Sequence, residues 1–135
     1  MAIVSMNPAT GKELARYDAL TDVQLDERLE MAAHAFPSWR SMGFGERADR
    51  MRELAELLDD EKGRWGELIA TEMGKPIEQA VAEIVKCAWG ARYYADHAEQ
   101  LLRAESVDTD ASRSFIHYQP LGPVLAVMPW NFPFW

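Results

Sequence analysis

Cysteine occurs once in these 135 residues, at Cys87. That excludes an internal disulfide framework and any zinc site built from several thiolates. Histidine is also scarce. His34, His97 and His117 share no one-turn helical spacing and no common motif, so no metal site is expected. His97, beside Asp96 and Glu99, reads as a surface side chain in solvent or in an ion pair. No run of residues is long and apolar enough to span a bilayer. The opening MAIVSMNPATGK lacks the basic-then-apolar layout of a secretory signal, which makes the cytoplasm the expected compartment. Basic residues are outnumbered, 14 Lys and Arg against 22 Asp and Glu, for a net charge of -8. A chain this acidic lacks the basic face that a nucleic-acid or anionic-membrane partner needs. The last absence is local. All 36 charged residues lie at or before Arg113, and residues 114–135 carry none, although four of the seven prolines fall there.

What is present describes a globular protein about the size of one domain, 48% hydrophobic and 27% charged. Ile3-Val4 and Leu14-Ala15-Arg16-Tyr17 flank Asn7-Pro8-Ala9-Thr10-Gly11, which is hairpin chemistry. Thr21-Asp22-Val23-Gln24 fits a capping box that opens a helix. Leu25, Leu29, Ala32, Phe36 and Trp39 continue one face of it, with Pro37 expected to kink it or tighten its last turn. Met42-Gly43-Phe44-Gly45 should break the chain before a helix carrying Ala48, Met51, Ala55 and Leu58. Asp59-Asp60-Glu61-Lys62-Gly63 interrupts it, and a further helical piece around Trp65, Leu68 and Ile69 should stop at Gly74 and Pro76. Ile77, Val81, Ile84, Ala88, Ala91, Ala95, Ala98 and Leu102 mark the clearest helix. Gly90 inside it costs about 1 kcal/mol against Ala, which hints at close packing there. Residues 103–112 read as a polar link, and Ser114-Phe115-Ile116-His117-Tyr118 as a strand. Val124-Leu125-Ala126-Val127-Met128 is the continuous apolar run of a strand covered on both faces.

Three features invite stronger readings that their context does not support. Gly43-Phe44-Gly45-Glu46-Arg47-Ala48 fits a dinucleotide fingerprint, but a helix precedes it where the fingerprint needs a strand, so an interhelical turn is expected. Cys87 sits on a helix, and the adjacent Lys86 points away from it, so it reads as a small hydrophobe and not a nucleophile. Asp59-Asp60-Glu61 lacks the alternating oxygen spacing of a calcium loop and reads as a solvated helix end.

Pro129-Trp130-Asn131-Phe132-Pro133 follows the apolar run directly. A carboxamide held between two prolines can donate hydrogen bonds to an oxyanion that forms during a reaction. The same five residues also make a rigid Pro/aromatic turn that caps a strand. The residues by themselves leave both open.

The segment Gly122-Pro123-Val124-Leu125-Ala126-Val127-Met128-Pro129-Trp130-Asn131-Phe132-Pro133 resembles the end of the first nucleotide-fold strand in the NAD(P)-dependent aldehyde dehydrogenase superfamily. Asn7-Pro8-Ala9-Thr10-Gly11, Ala35-Phe36-Pro37-Ser38-Trp39-Arg40, Glu72-Met73-Gly74-Lys75-Pro76-Ile77 and Arg92-Tyr93-Tyr94-Ala95 match in the same order, so the resemblance covers nearly the whole chain. Residues 108–114, Tyr118-Gln119-Pro120-Leu121-Gly122 and Phe134-Trp135 are most similar to the succinate-semialdehyde dehydrogenase branch.

The resemblance implies an α/β fold, mostly helical in this stretch. Residues 1–102 would be the hairpin and helical layer of a cofactor-binding domain. Residues 103–120 would be a bridging, oligomerisation strand, and residues 121–135 the first sheet strand with an active-site turn. It implies NAD or NADP as cofactor, a small aldehyde as substrate, and a homo-oligomer when complete. In the family a Cys thiolate attacks the aldehyde, an Asn carboxamide and a backbone N–H hold the oxyanion, and hydride passes to the nicotinamide. Asn131 matches that Asn. Met128, Pro129, Trp130 and Asn131 match the segment along the cofactor, and Phe132 an aromatic at the substrate tunnel. The family's nucleophilic Cys, its Glu base and its Gly-rich turn have no counterpart in these residues, and Cys87 does not match the nucleophile. The expectation is the N-terminal portion of an enzyme that oxidises succinate semialdehyde to succinate, inactive by itself. The alternative is a helical interaction module that associates with intact subunits.

Overall fold

The computed structural model describes residues 3–135. Strands β1 (Ile3–Met6) and β2 (Glu13–Tyr17) form an antiparallel hairpin with Ile3 opposite Tyr17 and an irregularity between Ser5 and Met6. Its turn is held by Asn7, whose side-chain oxygen accepts from the N–H groups of Ala9 and Thr10 at 2.9 and 3.2 Å. Helix α1 (Asp22–Ser41) starts on the expected capping box. The Thr21 hydroxyl accepts from the Gln24 N–H at 3.2 Å, and the Gln24 side chain accepts from the Thr21 N–H at 3.0 Å. Pro37 deprives the Ala33 carbonyl of its usual donor, yet the helix runs on to Ser41. No side chain of α1 is buried.

Helices α2 (Phe44–Asp60), α3 (Lys62–Met73) and α4 (Ile77–Leu101) hold the core. The Gly43 stretch is an interhelical turn as expected, with the Glu46 carboxylate accepting from the Gly43 N–H at 3.1 Å. Both α2 and α3 pack on α4. They enclose Ala55, Leu58, Ile69, Ala80, Ile84, Ala88 and Ala91, of which Ile84 is the largest side chain sealed from water. Burying such a side chain contributes about 1.5–3 kcal/mol. The alanines of α4 let its neighbours come close. Around this core Arg92 pairs with Asp59 at 2.6 Å and Arg52 with Asp96 at 2.9 Å. Both pairs stay wet, so each is worth at most about 1 kcal/mol.

Between α3 and α4 the chain reverses at Gly74, whose φ of 76° is the left-handed value that ends helices. A Cβ at this position would also stand 3.1 Å from the Pro8 ring, so the same glycine seats the hairpin turn on the helical layer. The Ser5 hydroxyl donates to the Glu72 carboxylate at 2.9 Å and reinforces that seat.

Beyond α4, β3 (Glu105–Ser106) pairs antiparallel with β4 (Phe115–Ile116), closed by a hydrogen bond from the Tyr118 hydroxyl to Glu105 at 2.9 Å. The expected strand at 114–118 is thus present in shortened form. The polar link supplies its partner, which the sequence reading had not foreseen. One element differs further. Residues 121–129 form no strand, and Val124, Leu125 and Val127 are 88%, 88% and 86% exposed. A strand exists through the hydrogen bonds of a neighbour. The two sheets of the described residues join only β1 with β2 and β3 with β4, so no strand pairs with this run.

Candidate functional site

After the extended run the chain turns back onto the helical layer. The Phe132 N–H donates to the Pro129 carbonyl at 3.3 Å, which closes a turn with Trp130 and Asn131 at its two central positions. The prolines on either side restrict the backbone before and after it. Past the turn, Phe134 packs against the core cluster, with its ring 5.7 Å from that of Trp65. Trp135 reaches α4 at Gly90. A Cβ on Gly90 would lie 3.2 Å from the Trp135 ring, so the glycine suspected from the sequence is where the indole approaches the helix.

The anchor of this turn is a buried ion pair. Glu83 on α4 is 5% exposed, the one buried charged residue among the described residues. One of its carboxylate oxygens accepts from Lys75 Nζ at 2.5 Å. The other accepts from two successive main-chain N–H groups, Phe134 at 2.9 Å and Trp135 at 3.2 Å. Lys75 Nζ also donates to the main-chain carbonyl of Asn131 at 3.3 Å and stands 3.8 Å from the centre of the Phe132 ring. Lys86 Nζ stands 3.8 Å from the Trp135 ring centre. Burial pushes the Glu83 carboxyl up, but the Lys75 ammonium and the two N–H donors outweigh it. The net direction is below the ordinary glutamate value, so the group is ionised at neutral pH.

The structure brings together two of the five residues that the sequence marks. Asn131 and Phe132 meet at Lys75, with Asn131 exposed. Trp130 instead faces a cavity of about 470 Å³ that Pro8, Leu68, Glu72, Pro133 and Phe134 also line. Met128 is half exposed. Lys75 holds Asn131 by its main-chain carbonyl, and the exposed carboxamide keeps its own N–H donors free of that contact.

No nucleophile joins this set. Cys87 is half buried and packs on the core, and burial together with the Glu83 charge pushes its thiol up against a smaller opposing pull from Lys86. It stays a protonated thiol at neutral pH, as its small-hydrophobe reading expects. His97 is exposed, as its surface reading expects, and it also packs along its own helix. Its ring stacks on Tyr93 at 4.3 Å, with Nδ1 2.7 Å from the Tyr93 carbonyl. Glu83, which anchors the turn, is not among the residues marked by the sequence motifs. The signal was present, since an acid between Ala80 and Ile84 stands on the apolar stripe of its helix.

Over residues 1–135 the chain matches the model of the aldehyde dehydrogenase family. It is 49% identical over 135 residues to a probable NADP⁺ succinate-semialdehyde dehydrogenase of Synechocystis, covering all of this chain and 30% of that protein. A succinate-semialdehyde dehydrogenase [NADP⁺] of Mycobacterium avium is 44% identical over 139 residues, with 29% of it covered. Among solved structures, succinic semialdehyde dehydrogenase of Streptococcus pyogenes, in complex with NADP⁺, superposes with a TM-score of 0.91 at 32% identity. The match covers 97% of this chain and 29% of that one. An NADP-dependent glyceraldehyde-3-phosphate dehydrogenase of Bacillus halodurans gives 0.88 at 31%, covering 99% and 29%. The chain thus spans about 30% of the length of the curated relatives it matches, and its fold class is that of the superposed dehydrogenases.

Proposed function

This chain belongs to the aldehyde dehydrogenase family, and we propose that it supplies the oxyanion donor, Asn131, of an enzyme that oxidises succinate semialdehyde to succinate with NADP⁺. The observation that carries this is the held turn. Asn131 sits at the centre of a closed turn, gripped through its carbonyl by a buried ion pair, with its carboxamide unspent. NADP⁺ is favoured over NAD⁺ by the relatives, whose names specify it. Met128, Pro129 and Trp130 would lie along the bound cofactor, and Phe132 would border the aldehyde.

Bound nicotinamide would accept the hydride. This chain's own contribution is to orient the aldehyde carbonyl. When a thiolate adds to that carbonyl, negative charge gathers on its oxygen, and the Asn131 NH₂ group donates to it. A donor placed in advance costs no reorganisation at that moment. Residues 1–102 form the helical layer of the cofactor-binding domain, and residues 121–135 would supply its first strand, once neighbouring strands lie beside it, and its turn. Residues 103–120 bridge to a second copy in a cytoplasmic homo-oligomer. By itself the chain, lacking a thiolate nucleophile at the turn, turns over no aldehyde.

The test replaces the matching residues of the Synechocystis relative with this chain and follows NADPH absorbance with succinate semialdehyde. Reduction of NADP⁺ by the chimera, and none by the 135-residue chain, supports the proposal. A soluble, folded chimera without activity, or turnover by the chain itself, refutes it.

A further inference from the structure

We propose that Lys75 and Glu83 are positioning residues for Asn131, one ion pair that sets the direction of its carboxamide by clamping the backbone at its carbonyl and just after it. Resting on the functional reading above, this assigns a role to two residues that never touch the reacting atoms. The clamp is specific in its placement. Lys75 Nζ holds the Asn131 carbonyl and stands over the Phe132 ring. Further along the same stretch, one oxygen of Glu83 gathers the N–H groups of Phe134 and Trp135. The two halves are joined by the 2.5 Å contact between Lys75 and Glu83, whose side chains are 9% and 2% exposed. Four of the five residues from Asn131 to Trp135 thus answer to one pair. The fifth, Pro133, has no N–H to offer.

Stability by itself does not call for this arrangement. A buried ion pair is often no better than two well-packed apolar side chains, because both charges lose their water. What the pair adds is direction. A carboxylate can accept two successive main-chain N–H groups on one oxygen while a cation neutralises the other, with charge-assisted hydrogen bonds on both. Such a turn is tied to α4, the most deeply packed helix, instead of resting on its own two prolines. An oxyanion donor works only when held within about 0.5 Å of its productive place. The pair lies on the path by which the rigid layer reaches Asn131.

The charged and titratable groups around Glu83 are Lys75 from the α3–α4 link, Cys87 on α4, with Lys86 beside that thiol, and, in the 135-residue chain, the terminal carboxylate carried by Trp135. The test is a nitrogen-15 NMR titration of the 135-residue chain between neutral pH and the acid side of the ordinary glutamate value of 4.5. The expected result is that the Phe134 and Trp135 amide protons and the Asn131 carboxamide protons move with one shared midpoint, below 4.5. In Lys75→Met that midpoint rises and the Asn131 carboxamide signals are already displaced at neutral pH. Lys75→Arg restores both. Core amides of Ile84 and Ala88 report that each variant is folded, and the wild-type titration needs no substitution at all.

If the Asn131 carboxamide ignores the titration and is unchanged in Lys75→Met while Phe134 and Trp135 respond, the pair merely fastens the chain end and the proposal fails. The readout needs no turnover. An Asn131 that follows the pair in a chain whose chimera is inactive therefore refutes the functional reading and not the clamp.

Discussion

Lys75 Nζ lies 2.5 Å from a Glu83 oxygen in a place where both side chains are almost sealed from water. Lys75 comes from the link after a helix stop, and Glu83 from the second turn of the next helix. The left-handed Gly74 makes that reversal tight enough for the two to meet. Removing one partner leaves the other charged and buried. Lys75→Met is therefore expected to cost about 3–5 kcal/mol. The double substitution Lys75→Met with Glu83→Leu should cost less than the sum of the two single changes. Urea denaturation of the four proteins measures this, and strict additivity would show that the two charges do not interact.

The acid dependence of stability follows from the same carboxylate. Glu83 has a folded value below the unfolded one, so its contribution is fully present above about pH 4.5 and is lost as pH falls through the folded value. The wild-type urea midpoint should drop more steeply below pH 5 than that of Glu83→Gln. Parallel curves for the two proteins would assign the acid loss to other groups.

Gly90 sets two effects against each other. Alanine in a helix interior is favoured by about 1 kcal/mol over glycine. Here its Cβ meets the Trp135 ring at 3.2 Å, which the ring must yield by a few tenths of an ångström. Gly90→Ala is expected to leave α4 as stable or more so while shifting the indole N–H signal of Trp135. An unmoved indole signal would mean that Trp135 does not rest on Gly90.

Thr21 should matter only locally. Thr21→Ala removes the acceptor for the Gln24 N–H, worth about 1 kcal/mol. Because α1 buries no side chain, the loss should appear as faster hydrogen exchange in its first turn, with α2 to α4 unchanged. Equal acceleration throughout would show that α1 unfolds with the core.

Local signals in the sequence located most of the helices. Thr21 with Gln24, Gly74 before Pro76, and the alanine stripe of α4 each act through neighbours within a turn or two, and each lies where it was expected. Partnerships across the chain were less legible. Residues 105–106 carry no strand pattern of their own and pair only because residues 115–116 return beside them. Val124 to Met128 has the composition of a covered strand, but composition cannot supply the neighbour whose hydrogen bonds make one. Asn131 was singled out by its motif. Glu83 was not, because a stripe read for apolar residues passes over the acid within it, and its partners lie 8, 51 and 52 positions away.

The most direct measurement is kcat of the Synechocystis chimera carrying this chain, with and without Asn131→Ala. The exposed carboxamide makes the substitution nearly neutral for folding, within about 0.5 kcal/mol. Loss of one oxyanion donor should lower kcat by about 10²–10³-fold, with the KM for NADP⁺ little changed. A chimera whose turnover stays within a few-fold of its parent after Asn131→Ala would contradict the account.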